Sequence, residues 1–491
     1  MEHTQGESLE LDLHGLSPDG RTVGRSEDGM TVFVRGGLPG QRVRVRLSAV
    51  KKRMAEAELE AVRHPSPDER PAPCPHAGTC GGCPWQSLPY ERQLAWKTRI
   101  VQDALCRLGK LHLPEGVLSP ALVPDRAGEW GYRNKMEFAF AAKEDGSTVL
   151  GLKARASGAV TEVTHCLLQT PRTMRVLAAL RTLVQEQHLH AAPQQRQNDL
   201  KKRAAFRDQG PDDILRFAVI REPRDGGCLV ELITLPCPHK AAALRRVGTS
   251  LMEADLGVTG FVHSVRMHPA NVAYGEQTMF TLGEARLSET LHLQGRDVTF
   301  RLDHNSFCQV NTPAAELLYN TAADLAARLF SPCDDTLWGR ECWDIYCGAG
   351  GLALTMAPHF RRVFGLETVP QAVTLAAENA EQAGLGRQCR FESGDAARLE
   401  RCFRERGTPD LLVTDPPRAG MDERTVQAIL KHRPPRLVLV SCNSATLARD
   451  LARLSQTYTV RAVQPVDLFP QTPHVETVAV LSLKSGDKAD R

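Results

Sequence analysis

The last third of the chain alternates short apolar runs with helical stretches, and this rhythm restricts the fold more than anything else in the sequence. Residues 343–346, 363–366, 411–414 and 437–440 read as buried strands. The segments at 370–383 and 423–431 between them carry helical periodicity. Strands separated by helices build a parallel, doubly wound sheet, because each return to the sheet needs a crossover. A last apolar run, 475–483, reads as an added edge strand. This places a Rossmann-like α/β domain at 301–491.

The rest of a 491-residue chain requires further domains. Residues 1–65 read as short strands of a small OB-like β-barrel. In it Arg42, Arg44 and Arg46 alternate with Val43, Val45 and Leu47, and Lys51, Lys52 and Arg53 follow. Period two puts the arginines on one strand face, a candidate surface for a phosphate backbone, although a solvated strand face has the same pattern. Pro65, Pro67, Pro71 and Pro73 mark a linker. Residues 66–300 form a central α+β region, with a helix near 91–108, strands at 135–142 and 228–235, and a polar, basic surface loop at 194–207. The start of the chain lacks an apolar leader and no run is long enough to span a bilayer, so no membrane partner is expected. Fourteen cysteines in such a chain point to a reducing compartment, the cytoplasm, with thiols free, catalytic or metal-bound. A net charge of +3 neither demands nor excludes a nucleic acid.

Strand ends of the C-terminal sheet carry the chemistry. Trp343-Asp344-Ile345-Tyr346-Cys347-Gly348-Ala349-Gly350-Gly351 is a strand entering a glycine-rich turn, where backbone can approach a ligand closely. Glu367 ends the next strand and suits ribose hydroxyls. Asp395 ends a third and suits an adenine amine. The turn is not a dinucleotide or P-loop signature. Two further strands end in Asp415-Pro416-Pro417-Arg418 and Ser441-Cys442-Asn443, and Pro473-His474-Val475-Glu476-Thr477 leads into the last run and brings Glu476. Ligands of an open α/β sheet bind beyond its carboxyl ends, so these groups face one crevice. Together they match methylation at carbon 5 of uracil. A thiolate (Cys442) adds to carbon 6, a base (Glu476) removes the carbon 5 proton, and a carboxyl (Asp415) binds the base edge. The uridine must leave its stack to be reached.

Cys74, Cys80 and Cys83 are spaced C-x5-C-x2-C, and Cys166 is a fourth thiolate. Four thiolates suit tetrahedral zinc or a [4Fe–4S] cluster, and spacing alone does not separate them. The pattern is not the C-x3-C-x2-C of clusters that cleave S-adenosylmethionine.

These motifs resemble the RNA uridine-5-methyltransferases that carry an N-terminal TRAM domain and an iron–sulfur cluster, and the bacterial 23S rRNA enzymes among them. The resemblance implies S-adenosylmethionine as methyl donor and Cys442 and Glu476 as nucleophile and base. It adds Gln309, Tyr346 and Gly351 to Glu367, Asp395 and Asp415 as cofactor contacts, and makes the four cysteines ligands of [4Fe–4S]. Tyr346 stands where Phe is usual and Gly351 where some members carry Asn. A monomer acting on 23S rRNA is the first expectation and a tRNA T-loop uridine the second. A cytosine-5 or amine methyltransferase fits the Asp-Pro-Pro-Arg and Ser-Cys-Asn motifs less well. A non-catalytic RNA-binding protein has no need of Cys442 and Glu476, and an iron–sulfur redox protein leaves the cofactor strands unexplained.

Overall fold

The computed structural model describes residues 3–124, 128–154, 157–192, 213–268, 270–330 and 337–484. The basic segment expected as a loop at 194–207 lies outside them.

Five strands close a barrel in the order β1-β2-β3-β5-β4: β1 (Ser8–Leu16), β2 (Thr22–Arg25), β3 (Thr31–Arg35), β4 (Arg42–Lys51) and β5 (Met54–His64). The period-two reading of β4 holds. Val43, Val45 and Leu47 are buried inside, and Arg42, Arg44 and Arg46 point out. The neighbouring strands alter the charge of that face. Arg44 and Arg46 both pair with Glu60, Arg46 Nε at 2.6 Å, and Arg42 lies 3.7 Å from Glu10. The stripe expected to be basic is therefore cross-strand neutralised. Lys51, at the end of β4, and Lys52 and Arg53, in the β4–β5 turn, stay exposed.

Helix α1 (Tyr90–Asp103) follows the cysteine segment. Central strands β6 (Lys135–Ala142), β7 (Thr148–Lys153), β8 (Val160–Glu162), β9 (His190–Ala191), β10 (Asp213–Arg221), β11 (Leu229–Thr234), β12 (Gly260–Val265) and β13 (Gln277–Gly283) form one mixed sheet. It is covered by α2 (Pro171–Glu186) and α3 (Ala241–Glu253). The hairpin β14 (Arg286–Leu293) and β15 (Arg296–Asp303) packs Leu291, Val298 and Phe300 into the C-terminal core, beside α4 (Thr312–Ala327).

The C-terminal sheet runs β18-β17-β16-β19-β20-β22-β21. Its parallel strands are β16 (Gly339–Ile345), β17 (Phe360–Glu367), β18 (Cys389–Ser393), β19 (Leu411–Thr414) and β20 (Arg436–Ser441). Helices α5 (Gly351–Met356), α6 (Pro370–Gln382), α7 (Ala396–Arg406), α8 (Glu423–His432) and α9 (Ser444–Leu454) connect and cover them. The last two strands are β21 (Tyr458–Val466) and β22 (Glu476–Leu483). Here one expectation fails. The final run is not the edge strand: β22 inserts antiparallel between β20 and β21, and its buried pattern is that of an interior strand. An all-apolar run such as Val478-Ala479-Val480-Leu481 needs cover on both faces, which an interior place supplies.

Candidate active site

The strand ends converge as the sheet topology requires. β16 and β19 pair Ile345 with Thr414, so Tyr346 and Asp415 lie side by side beyond them. β20 and β22 pair Ser441 with Thr477. Because β22 runs antiparallel, its first residue, Glu476, emerges at the same edge as Cys442. Tyr346, Asp415, Cys442 and Glu476 thus share one end of one sheet.

Burial dominates their electrostatics. Glu476 is only 3% exposed, and burial followed by the charge of Asp415 pushes its carboxyl up to about 8, with Arg418 opposing. Asp415 is pushed up to about 7 by burial. The Cys442 thiol rises to about 11 through burial and the facing carboxylates of Glu476 and Asp415, again with Arg418 opposing. Like charges in a dry site cannot all ionise, so this pair of carboxyls holds a proton near neutral pH. Cys442 itself is half-buried, not sealed into the core. Asn443 caps α9 through Ala445 N–H, and its side-chain amide donates to the carbonyl of Arg418 at 3.0 Å, tying the cysteine motif to the Asp-Pro-Pro-Arg loop.

The glycine turn adjoins this cluster. Tyr346 adopts φ +66°, unusual for a bulky residue, and its N–H donates to the Leu366 carbonyl at 2.8 Å. Its hydroxyl meets Asp422 and Thr425. Gly348 and Gly350 also have positive φ, and a Cβ at Gly348 would meet open space. Glu367 accepts from Gly348 N–H at 3.1 Å, which locks the turn to the second strand. Asp395 spends one oxygen on capping α7, through Ala397 and Arg398 N–H. Gln309 is buried just before α4, where Asn134 donates to its carbonyl.

Two residues of this region escaped the sequence reading. Asp344 is buried, with one oxygen accepting from Ala353 N–H and the other without a hydrogen-bond partner among the described residues. Burial and Asp415 hold its carboxyl well above the usual range. Tyr319, on α4, reaches Gly351. A Cβ there would lie 2.8 Å from the phenol oxygen, so the glycine admits the ring. Asp344 reads as strand and Tyr319 as one helical residue among many, so only the packing picks them out. An orphaned carboxylate oxygen beside an open glycine cradle, with Glu367 at the next strand end, is a donor set fitted to the amino-acid and ribose groups of S-adenosylmethionine.

Cys74, Cys80, Cys83 and Cys166 line one cavity of about 630 Å³, together with Trp130, Arg133 and Phe307. Burial raises Cys83 to about 12 and the neighbouring Cys166 and Cys80 thiols add to it. Among the described residues, no three His, Cys, Asp or Glu side chains are grouped so as to hold a metal ion. At the mouth of the cavity, Phe307 is 73% exposed, two residues from Gln309.

A doubly wound sheet with this turn and these strand-end acids defines an S-adenosylmethionine-dependent methyltransferase. The model described as tRNA (uracil-5-)-methyltransferase matches residues 262–484, and the TRAM domain model matches residues 2–59. An uncharacterized RNA methyltransferase of Nitratidesulfovibrio vulgaris is 42% identical over 489 residues, 98% of this chain and 97% of its own. One from Thermosynechococcus vestitus is 35% identical, over 97% of this chain and 98% of its own. The tRNA (uracil-54, C5)-methyltransferase of Pyrococcus abyssi, solved with S-adenosyl-L-homocysteine, shares the fold at a TM-score of 0.69 and 23% identity, over 96% of this chain and all of that one. The chain belongs to this family of TRAM-bearing RNA (uracil-5-)-methyltransferases. No helix among the described residues is long and apolar enough to cross a membrane.

Proposed function

We propose that the protein methylates carbon 5 of a uridine in 23S rRNA through a covalent bond between Cys442 and carbon 6. The meeting of Cys442, Asp415 and Glu476 at one sheet edge carries this reading. Asp344, Glu367, Asp395 and Gln309, with the backbone of Tyr346 and Gly351 in the glycine turn, would hold S-adenosylmethionine. The bound cofactor supplies a methyl group from its sulfonium. Cys442, its proton released to solvent, adds to carbon 6 of the uracil, and the ring electrons move to carbon 5, which bonds the methyl carbon as the sulfur–methyl bond breaks and the sulfonium becomes a neutral thioether. Ionised Glu476 then takes the carbon 5 proton, the double bond reforms and the thiolate leaves. Asp415, sharing a proton with Glu476, hydrogen-bonds the uracil edge and selects uracil over cytosine. Phe307 offers a stacking surface for a displaced base.

The motif resemblance assigns the four cysteines to a [4Fe–4S] cluster that would brace the central domain, although as placed they are not grouped to hold a metal ion. A shared cavity lined by four thiols supports this. Anaerobically purified protein should contain iron and acid-labile sulfide, both lost in Cys83→Ser. Stoichiometric zinc instead would reassign the site.

The neutralised arginine stripe moves the barrel's phosphate contacts to the exposed β4–β5 turn. Replacing Lys51, Lys52 and Arg53 with Ala should lower the slope of log K against log salt by about 2, at roughly 0.7–0.9 per lost phosphate contact. Replacing Arg42, Arg44 and Arg46 should lower it by less than about 1, because each already faces an acid. The reverse order would restore the strand face as the binding surface.

The 23S rRNA target follows from the motif resemblance, and the tRNA fold relative keeps the T-loop uridine as the alternative. Mapping 5-methyluridine in both RNAs from cells with and without the gene decides between them. A full set of marks in both RNAs without the gene would overturn the assignment.

A further inference from the structure

The loop between β21 and β22, which delivers Glu476, is held by every part of the chain. Asp467 is fully buried and forms an ion pair with buried Lys97 of α1 at 2.5 Å, and it also accepts from the Tyr90 hydroxyl. Tyr132 of the central region donates to the Pro470 carbonyl. From the barrel, the β1–β2 turn packs so closely that a Cβ on Gly20 would lie 2.5 Å from Pro473.

Gln471 is the centre of this arrangement. It is 0% exposed and adopts φ +70°, a conformation that glycine takes far more easily. Its side chain accounts for the choice of residue. Gln471 N–H donates to Gln93 Oε1 and Gln93 Nε2 donates back to Gln471 Oε1, both at 2.9 Å. Gln471 Nε2 donates to Glu129, and Trp85 N–H donates to the Gln471 carbonyl at 3.0 Å. Gln93 Nε2 also bonds the carbonyls of Trp85 and Leu88. Every polar group of Gln471 is thus used, by α1, by the central region and by the segment two residues after Cys83.

We infer that Gln471 is a positioning residue for the catalytic base: its bonds to Gln93 and Trp85 tie the Glu476 loop to α1 and to the segment after Cys83 and hold that carboxylate against the substrate. The inference rests on the proposed role of Glu476. It assigns the clamp to the second half of the reaction, because the loop leads directly into the base at the start of β22 and the nucleophile follows a different strand, β20. A loosened loop would let the adduct form and leave it standing.

The test follows adduct formation and adduct resolution separately, by denaturing gel and single-turnover transfer, in Gln471→Gly, Gln93→Leu and Glu476→Gln. Gln471→Gly removes the side chain while suiting the backbone. Gln93→Leu removes the partner, together with its bonds to the Trp85 and Leu88 carbonyls, and keeps the Lys97–Asp467 pair. Both should form adduct within about threefold of wild type and resolve it about 10–100-fold more slowly, since displacement of a reacting group by about 1 Å has effects of that size. The double variant should be no slower than the worse single one. Equal slowing of both steps, or wild-type resolution in either folded variant, overturns the inference. If Glu476→Gln itself fails to accumulate adduct, the base assignment falls instead, and the two failures are told apart.

Discussion

Cys442→Ala is expected to abolish methyl transfer, with kcat/KM falling on the order of 10^4-fold or more while RNA binding and Tm stay near wild type. That fall corresponds to about 5 kcal/mol of lost transition-state stabilisation. The reason is chemical. Carbon 5 of uracil is a weak nucleophile until something adds at carbon 6, and Cys442 is the half-buried strand-end thiol beside Glu476 and Asp415, whereas Cys347 is buried. The side chain is half-buried at a strand terminus, so removing its sulfur opens no core cavity. Cys442→Ser should be nearly as poor, because a hydroxyl is far harder to ionise than a thiol. The measurement is single-turnover transfer from labelled S-adenosylmethionine, with a denaturing gel for the covalent RNA band. Transfer at more than about 1% of the wild-type rate in Cys442→Ala would remove the covalent route.

Glu476→Gln should do something different. It should support one round of methylation and then accumulate a protein–RNA adduct, with turnover reduced about 10^2- to 10^4-fold, the range for loss of a positioned base. The amide keeps the shape of the buried side chain but cannot accept the carbon 5 proton. The pH dependence carries the same information. Burial and Asp415 push Glu476 up to about 8, so at neutral pH most of it is protonated and inactive as a base. The step that Glu476 serves, resolution of the adduct, should speed up with pH to about 8 and flatten above it in the wild type. The residual rate of Glu476→Gln should lack that rise. A wild-type profile that falls between pH 6 and 8 would contradict the sign.

Much of the site could be read from the chain itself because strand ends have a fixed direction in a parallel sheet. A glycine turn after β16, an acid after β17 and motifs after β19 and β20 must share one edge whatever the loop lengths. Glu476 was harder. Its place at that edge depends on β22 running antiparallel beside β20, and local pattern does not distinguish an interior strand from an added edge. Tyr319 and Asp344 were hidden for a similar reason: what sets them apart is the room left by Gly351 and an unsatisfied oxygen. The arginine stripe misled in the opposite direction. Period two correctly placed the side chains outside, but the acids beside them belong to β1 and β5, distant in sequence.

The sequence by itself determined the fold class and the family, and it supplied the residues proposed for the reaction, because periodicity and side-chain type are local properties. Tertiary structure alone decided the protonation pressures on Cys442, Asp415 and Glu476, the charge of the barrel face and the clamp at Gln471. Each of these depends on which distant groups are brought within a few ångströms and how much water is excluded between them, and electrostatic and hydrogen-bond energies are set by those distances.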